Sequence, residues 1–169
     1  MLFRAFFVLA LSMFAAAVRV SAAELPRPEL YAEKCGNCHY ENGADMASLK
    51  MSFKGSGIIV NSTGKSVDAL LKKHHGVKLT AAEATELMEL FRRGLSWESV
   101  YRQKCESCHG VAITFARSEL SMVDGVAFAP KRNATVRDVL AAHGGATTEE
   151  ADVLADMIRY QIGIGTKAP

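Results

Sequence analysis

The 169-residue chain is 49% hydrophobic and 22% charged, a globular balance that excludes a disordered tail. Its 20 lysines and arginines face 18 aspartates and glutamates. Two of the basic residues, Arg4 and Arg19, lie in the first 23 positions, so the remainder is formally neutral and lacks the basic footprint that nucleic acid requires.

Residues 1–23 read as a secretory signal peptide. Arg4 supplies a positive start, Ala5 to Ala17 is almost unbroken apolar sequence, and Ser21-Ala22-Ala23 offers small residues for cleavage before Glu24. An apolar stretch of about 13 residues is short for a bilayer; the competing reading is an uncleaved N-terminal anchor. No long apolar run follows, so no transmembrane span is expected in the mature protein.

The next feature is Cys35-Gly36-Asn37-Cys38-His39, matched downstream by Cys105-Glu106-Ser107-Cys108-His109. Each is a C-x-x-C-H, the attachment motif of a c-type haem. Two thiols one helical turn apart can form thioethers to the two vinyl groups of one porphyrin. The adjacent histidine then serves as the proximal iron ligand. A four-cysteine zinc site and a pair of disulfides are the alternatives. Neither needs a histidine after each pair.

The two motifs belong to an internal repeat. Tyr31-x-x-Lys34-Cys35 corresponds to Tyr101-x-x-Lys104-Cys105 at an offset of 70 residues. After the first motif a long loop is marked by Gly43, Gly55, Gly57 and Asn61-Ser62-Thr63-Gly64. Val67 to Gly76 then resembles Val136 to Gly144, with one residue of slippage. Thr80-x-x-Glu83 and Thr147-x-x-Glu150 read as capping boxes. Behind them Ala84, Leu87, Met88, Leu90 and Phe91, and Ala151, Leu154, Ala155, Ile158 and Ile162, have the spacing of helices with one buried stripe. The first of these helices is expected to end near Arg93, with Gly94 just past its end. Ser96 would then cap a new helix carrying Trp97, Val100 and Tyr101. In the second copy the long loop is marked by Gly125, Pro130 and Asn133. The expected organisation is a first haem domain over 24–95 and a second over 96–169.

At these residues each half resembles a small class I c-type cytochrome domain, and the whole is similar to tandem dihaem cytochromes c. The resemblance implies an all-α fold of two tandem helical domains, each wrapped around one covalent haem. It implies two haem c groups held by Cys35 and Cys38 and by Cys105 and Cys108, with His39 and His109 as proximal ligands. It also implies electron transfer in the periplasm, with a redox-protein donor and acceptor. His75-Gly76-Val77-Lys78-Leu79-Thr80-x-x-Glu83 is further similar to a stretch in the dihaem subunits of quinohaemoprotein amine dehydrogenases. That likeness implies a periplasmic dehydrogenase as partner.

Class I domains usually supply a distal methionine before the terminal helix. No methionine lies between Ser66 and Glu86 or between Ala127 and Asp156. His74, His75 and His143 occupy those stretches, so two-histidine ligation is expected, with His75 preferred because His75-Gly76 aligns with His143-Gly144. His74, Met51 and Met122 are the distal alternatives. Two imidazoles imply a lower potential than a histidine–methionine pair. The expected activity is electron carriage rather than catalysis. A small haem enzyme or a gas sensor would instead need one open iron position.

Overall fold

The computed structural model describes residues 26–39, 42–143 and 145–163. The leader expected over residues 1–23 lies outside the described residues. The first copy opens with helix α1 (Pro28–Lys34), followed by the Cys35–His39 turn and α2 (Gly43–Lys50). Strands β1 (Met51–Lys54) and β2 (Gly57–Val60), then α3 (Val67–Lys72), lead to the long helix α4 (Ala81–Lys104). The second copy continues with α5 (Glu106–His109), α6 (Ala112–Glu119), β3 (Ser121–Val123) and β4 (Val126–Ala129). A 3₁₀ turn (Pro130–Arg132), β5 (Ala134–Thr135), α7 (Val136–Ala142) and α8 (Thr148–Gly163) complete it.

The strands correct the all-α expectation: the protein is mixed α/β, with two small antiparallel sheets, β1-β2 and β3-β4-β5. Both lie where the sequence reading placed long loops. Lys54 pairs with Gly57 across a two-residue turn, and Gly55 there has φ +59°. Val123 pairs with Val126 across Asp124-Gly125, whose φ values are +49° and +75°. Two-residue Gly-Ser and Asp-Gly turns match the twist of antiparallel strands, and Ile58-Ile59-Val60 supplies β-branched flanks. The same glycines mark a loop and a hairpin turn alike, and only the pairing of the flanking strands distinguishes the two.

The expected helix break at Gly94–Ser96 is also absent, because α4 runs through it without interruption. Gly94 is buried where α4 crosses α2. A Cβ there would lie 2.7 Å from the Ala44 Cα and 2.9 Å from its carbonyl oxygen. The glycine serves close helix packing rather than helix termination. Ser96 and Trp97 accordingly sit within the helix, and the two copies share it.

Both expected capping boxes form. The Thr80 hydroxyl accepts from the Glu83 N–H at 3.2 Å while the Thr80 N–H donates to Glu83 at 2.7 Å. Thr147 and Glu150 repeat this at 3.2 and 2.8 Å. The stripes behind them are buried at Leu87, Leu90 and Phe91 and at Ala151, Leu154 and Ile158. One continuous apolar core takes residues from both copies. At its centre Trp97 of α4 packs against Tyr160 of α8, ring centres 5.3 Å apart. No described helix is long and apolar enough to cross a membrane.

Candidate functional site

The two C-x-x-C-H motifs adopt one backbone geometry. Cys35 closes α1 with φ −126° and ψ −28°; Cys105 closes α4 with φ −126° and ψ −37°. That break ends the preceding helix and starts a fresh turn. His39 donates its N–H to the Cys35 carbonyl at 3.0 Å, and His109 to the Cys105 carbonyl at 2.9 Å. The four cysteines are free thiols, with Cys35 and Cys105 half-buried and Cys38 and Cys108 exposed. Burial pushes the Cys35 and Cys105 thiols above their ordinary pKa, as expected for neutral sulfurs packed against an apolar core. Among the described residues no group of three or more His, Cys, Asp or Glu side chains converges as a metal site, so no four-cysteine zinc site is assembled.

Each motif histidine faces a second histidine from the end of the short helix. The His39 and His74 rings are 5.8 Å apart, centre to centre. His109 and His143 are 6.0 Å apart. Their interplanar angles, 72° and 69°, are nearly the same. The sequence alignment preferred His75, but the ring opposite His39 is His74. His75 lines the same cavity of about 100 Å³, together with Cys35, Cys38, Leu71, Val77 and Leu79. The doubled histidine gives the first copy one extra residue before Gly76, so aligning on glycine pairs the wrong neighbour. The His74 Nδ1 lies 3.1 Å from the His75 carbonyl oxygen. A carbonyl only accepts, so Nδ1 is the donor in this contact. A backbone carbonyl holding one ring nitrogen is the usual support of a metal-binding imidazole.

The methionine alternatives are placed differently. Met51 is buried in the apolar core on β1 and does not line the cavity at His39. Met122 is on β3, paired with Ala127, and exposed.

A further contact is repeated in the two copies. Lys34, just before Cys35, pairs with Glu83 at 2.9 Å; Lys104, just before Cys105, pairs with Glu150 at 3.3 Å. In each copy the motif turn is thereby tied to the capping glutamate of the helix that follows the second histidine. Hydrogen bonds from the Thr80 backbone, Lys34 and the Thr80 side chain pull Glu83 down to about 2. Glu150 is lowered by the Thr147 backbone and Lys104. The recurrence of a lysine immediately before each motif and of a capping glutamate at the start of the later helix is the sequence signal for this contact. Tyr31 and Tyr101, one turn before each motif, are fully buried; the Tyr101 hydroxyl donates to the Gly110 carbonyl at 2.9 Å.

The donor set suits an iron porphyrin. Imidazole nitrogens bind first-row metal ions at about 2.0–2.1 Å, so two rings on opposite sides of one ion have centres about 6 Å apart. Both pairs have that spacing, each beside two free thiols. Leu71, Val77 and Leu79 offer apolar surface at the first. Comparison with protein-family models, curated proteins and solved structures found no match.

Proposed function

We propose that this chain is a dihaem c-type cytochrome that carries electrons in the periplasm between a redox-protein donor and acceptor. The observation that carries the reading is the repeated unit of a C-x-x-C turn with two facing imidazoles, found at His39–His74 and His109–His143. Cys35 and Cys38 would hold one haem and Cys105 and Cys108 the other. His39 and His109 would be the proximal ligands, and His74 and His143 the distal ones. Bound haem supplies one-electron chemistry at iron, between the ferric and ferrous states.

The chain's own residues would fix the coordination. The His74 Nδ1–H bond to the His75 carbonyl orients Nε2 and restrains the ring. The Lys34–Glu83 and Lys104–Glu150 pairs hold each motif turn against the element that follows the distal histidine. Ligation of a bound haem by both histidines of a pair would leave no open position for a substrate, which favours a carrier over an enzyme or a gas sensor. Two imidazoles also favour a low potential. The likeness of residues 75–83 to dihaem subunits of amine dehydrogenases supports a periplasmic dehydrogenase as one partner.

The test has two parts. Acid-acetone extraction of the holoprotein should leave the haem on the polypeptide, and the dithionite-reduced absorption spectrum should not change under carbon monoxide. Haem in the organic layer would overturn covalent attachment. A carbon monoxide adduct would overturn two-sided ligation and move the reading to a catalytic or sensing haem.

A further inference from the structure

The chain is formally neutral beyond its leader, but its charge is unevenly distributed. Residues 50–78 hold six lysines, Lys50, Lys54, Lys65, Lys72, Lys73 and Lys78, against the single acid Asp68, a formal +5. The matching stretch of the second copy, residues 121–146, holds Lys131, Arg132 and Arg137 against Asp124 and Asp138, a formal +1. All six lysines are exposed. Of them Lys72 is paired, with Asp68; the other five make no ion pair among the described residues. Basic groups elsewhere are largely tied to carboxylates, as in Arg27–Glu86, Lys34–Glu83 and Lys104–Glu150. Unneutralised positive charge is therefore concentrated on one part of one copy.

That part borders the first histidine pair. Strand β2 pairs with β1, α3 packs on β2, and an isolated bridge joins Ile59 to Ser66, so the hairpin and α3 form one continuous surface. The chain leaving α3 supplies His74, His75, Gly76, Val77 and Leu79 to the cavity at His39, with Lys72, Lys73 and Lys78 flanking them in sequence. Leu49 and Phe53, each about half exposed (51% and 52%), add apolar contact area within the basic field. Apolar contacts rimmed by charge are the usual anatomy of a transient protein interface.

We propose that this surface docks an acidic redox protein, and that electrons exchange with that partner through the first site and not the second. The proposal rests on the haem-carrier reading above. An array of like charges around one site raises the local concentration of an acidic partner and orients it at encounter. The second site, with its balanced charge, offers no such guidance. A protein partner is favoured over a lipid surface because Lys72, Lys73 and Lys78 flank in sequence the segment that lines the first cavity, and electron exchange there would require a second redox group.

The experiment uses the haem-loaded mature protein, isotopically labelled, with polyglutamate as an acidic probe. Backbone resonances of residues 50–78 should shift on titration and revert with salt, while those of 121–146 stay in place. In parallel, the reduced protein is oxidised by anionic hexacyanoferrate(III) or by cationic tris(phenanthroline)cobalt(III). The double variant Lys73→Glu, Lys78→Glu should slow the anionic oxidant about 10-fold at low salt and speed the cationic one. Arg132→Glu, exposed in the second copy, should change either rate by less than about twofold. Equal shifts in both copies, or rates indifferent to the lysine reversal, would overturn the proposal. Binding to phosphatidylserine vesicles without binding to polyglutamate would overturn it in favour of a membrane surface. Failure of the haem reading would show separately, as haem extracted by acid-acetone while polyglutamate still bound.

Discussion

His74 and His75 differ by one position and are both exposed, yet the structure gives them different work. The His74 ring stands 5.8 Å from His39, and its Nδ1 is engaged by the His75 carbonyl. His75 contributes that carbonyl through its backbone, which any side chain leaves intact. On the proposed ligation, His74→Ala should convert the haem of the first motif from a low-spin to a high-spin or ligand-exchanged form, and His75→Ala should leave the spectrum low-spin. Absorption and electron paramagnetic resonance spectra of the two variants distinguish these outcomes. Gly94 illustrates a second conflict at this scale. Alanine is a better helix former by about 1 kcal/mol, but its Cβ would meet Ala44 backbone atoms that cannot turn aside. Overpacking against backbone costs about 1–3 kcal/mol, so Gly94→Ala should lower the urea midpoint. Ser99→Ala, at an exposed position of the same helix, should leave it unchanged or raise it slightly.

At the level of elements, the starts of α4 and α8 join helix capping to the site. Glu83 accepts from the Thr80 N–H at 2.7 Å and pairs with Lys34 at 2.9 Å. Its pKa is thereby drawn from 4.5 to about 2. A carboxylate lowered in this way binds its proton less readily in the folded than in the unfolded chain. Its stabilisation is thus fully present above the unfolded value and is lost as the pH falls toward the folded one. Glu83→Gln should be less stable than the wild type near neutrality. The difference should shrink between pH 4.5 and about 2, the interval over which Glu83 takes up its proton. Denaturant midpoints measured across that interval test the sign. The same substitution frees Lys34 beside Cys35, so it should also raise the exchange rates of amides in the Cys35–His39 turn.

Across the whole molecule, the two copies are bound into one core. Asn42 Oδ1 caps α2 by accepting from the Ala44 N–H at 2.9 Å, while its Nδ2 donates to Gln161 Oε1 of α8 at 2.6 Å. Both side chains are buried. Asn42→Ala removes a cap, worth about 0.5–2 kcal/mol, and strands a buried acceptor, worth about 1–3 kcal/mol. A loss of about 2–4 kcal/mol is expected from the two together. Because α4 and the apolar cluster run through both copies, that loss should move the unfolding of both at once. Fluorescence of Trp97 and the haem absorption of the two sites should follow a single transition, in the variant as in the wild type.

The amino-acid sequence by itself determined the two C-x-x-C-H turns, their repetition with Tyr31 and Tyr101, the capping boxes and the buried stripes behind them. These depend on contacts within about one helical turn, which residue type and spacing specify directly. The hairpin turns at Gly55-Ser56 and Asp124-Gly125 are equally local, but glycine marks an irregular loop as readily as a hairpin turn. The tertiary structure alone decided that α4 continues through Gly94, that His74 rather than His75 stands opposite His39, and that Lys34 and Lys104 reach Glu83 and Glu150. Each of those depends on residues far apart in the chain. A glycine reads alike whether it ends a helix or admits a neighbour, and two adjacent histidines differ only in the direction the folded backbone gives them. The grouping of unpaired lysines beside one site has the same origin: sequence counts the charges, and folding determines which of them meet a carboxylate.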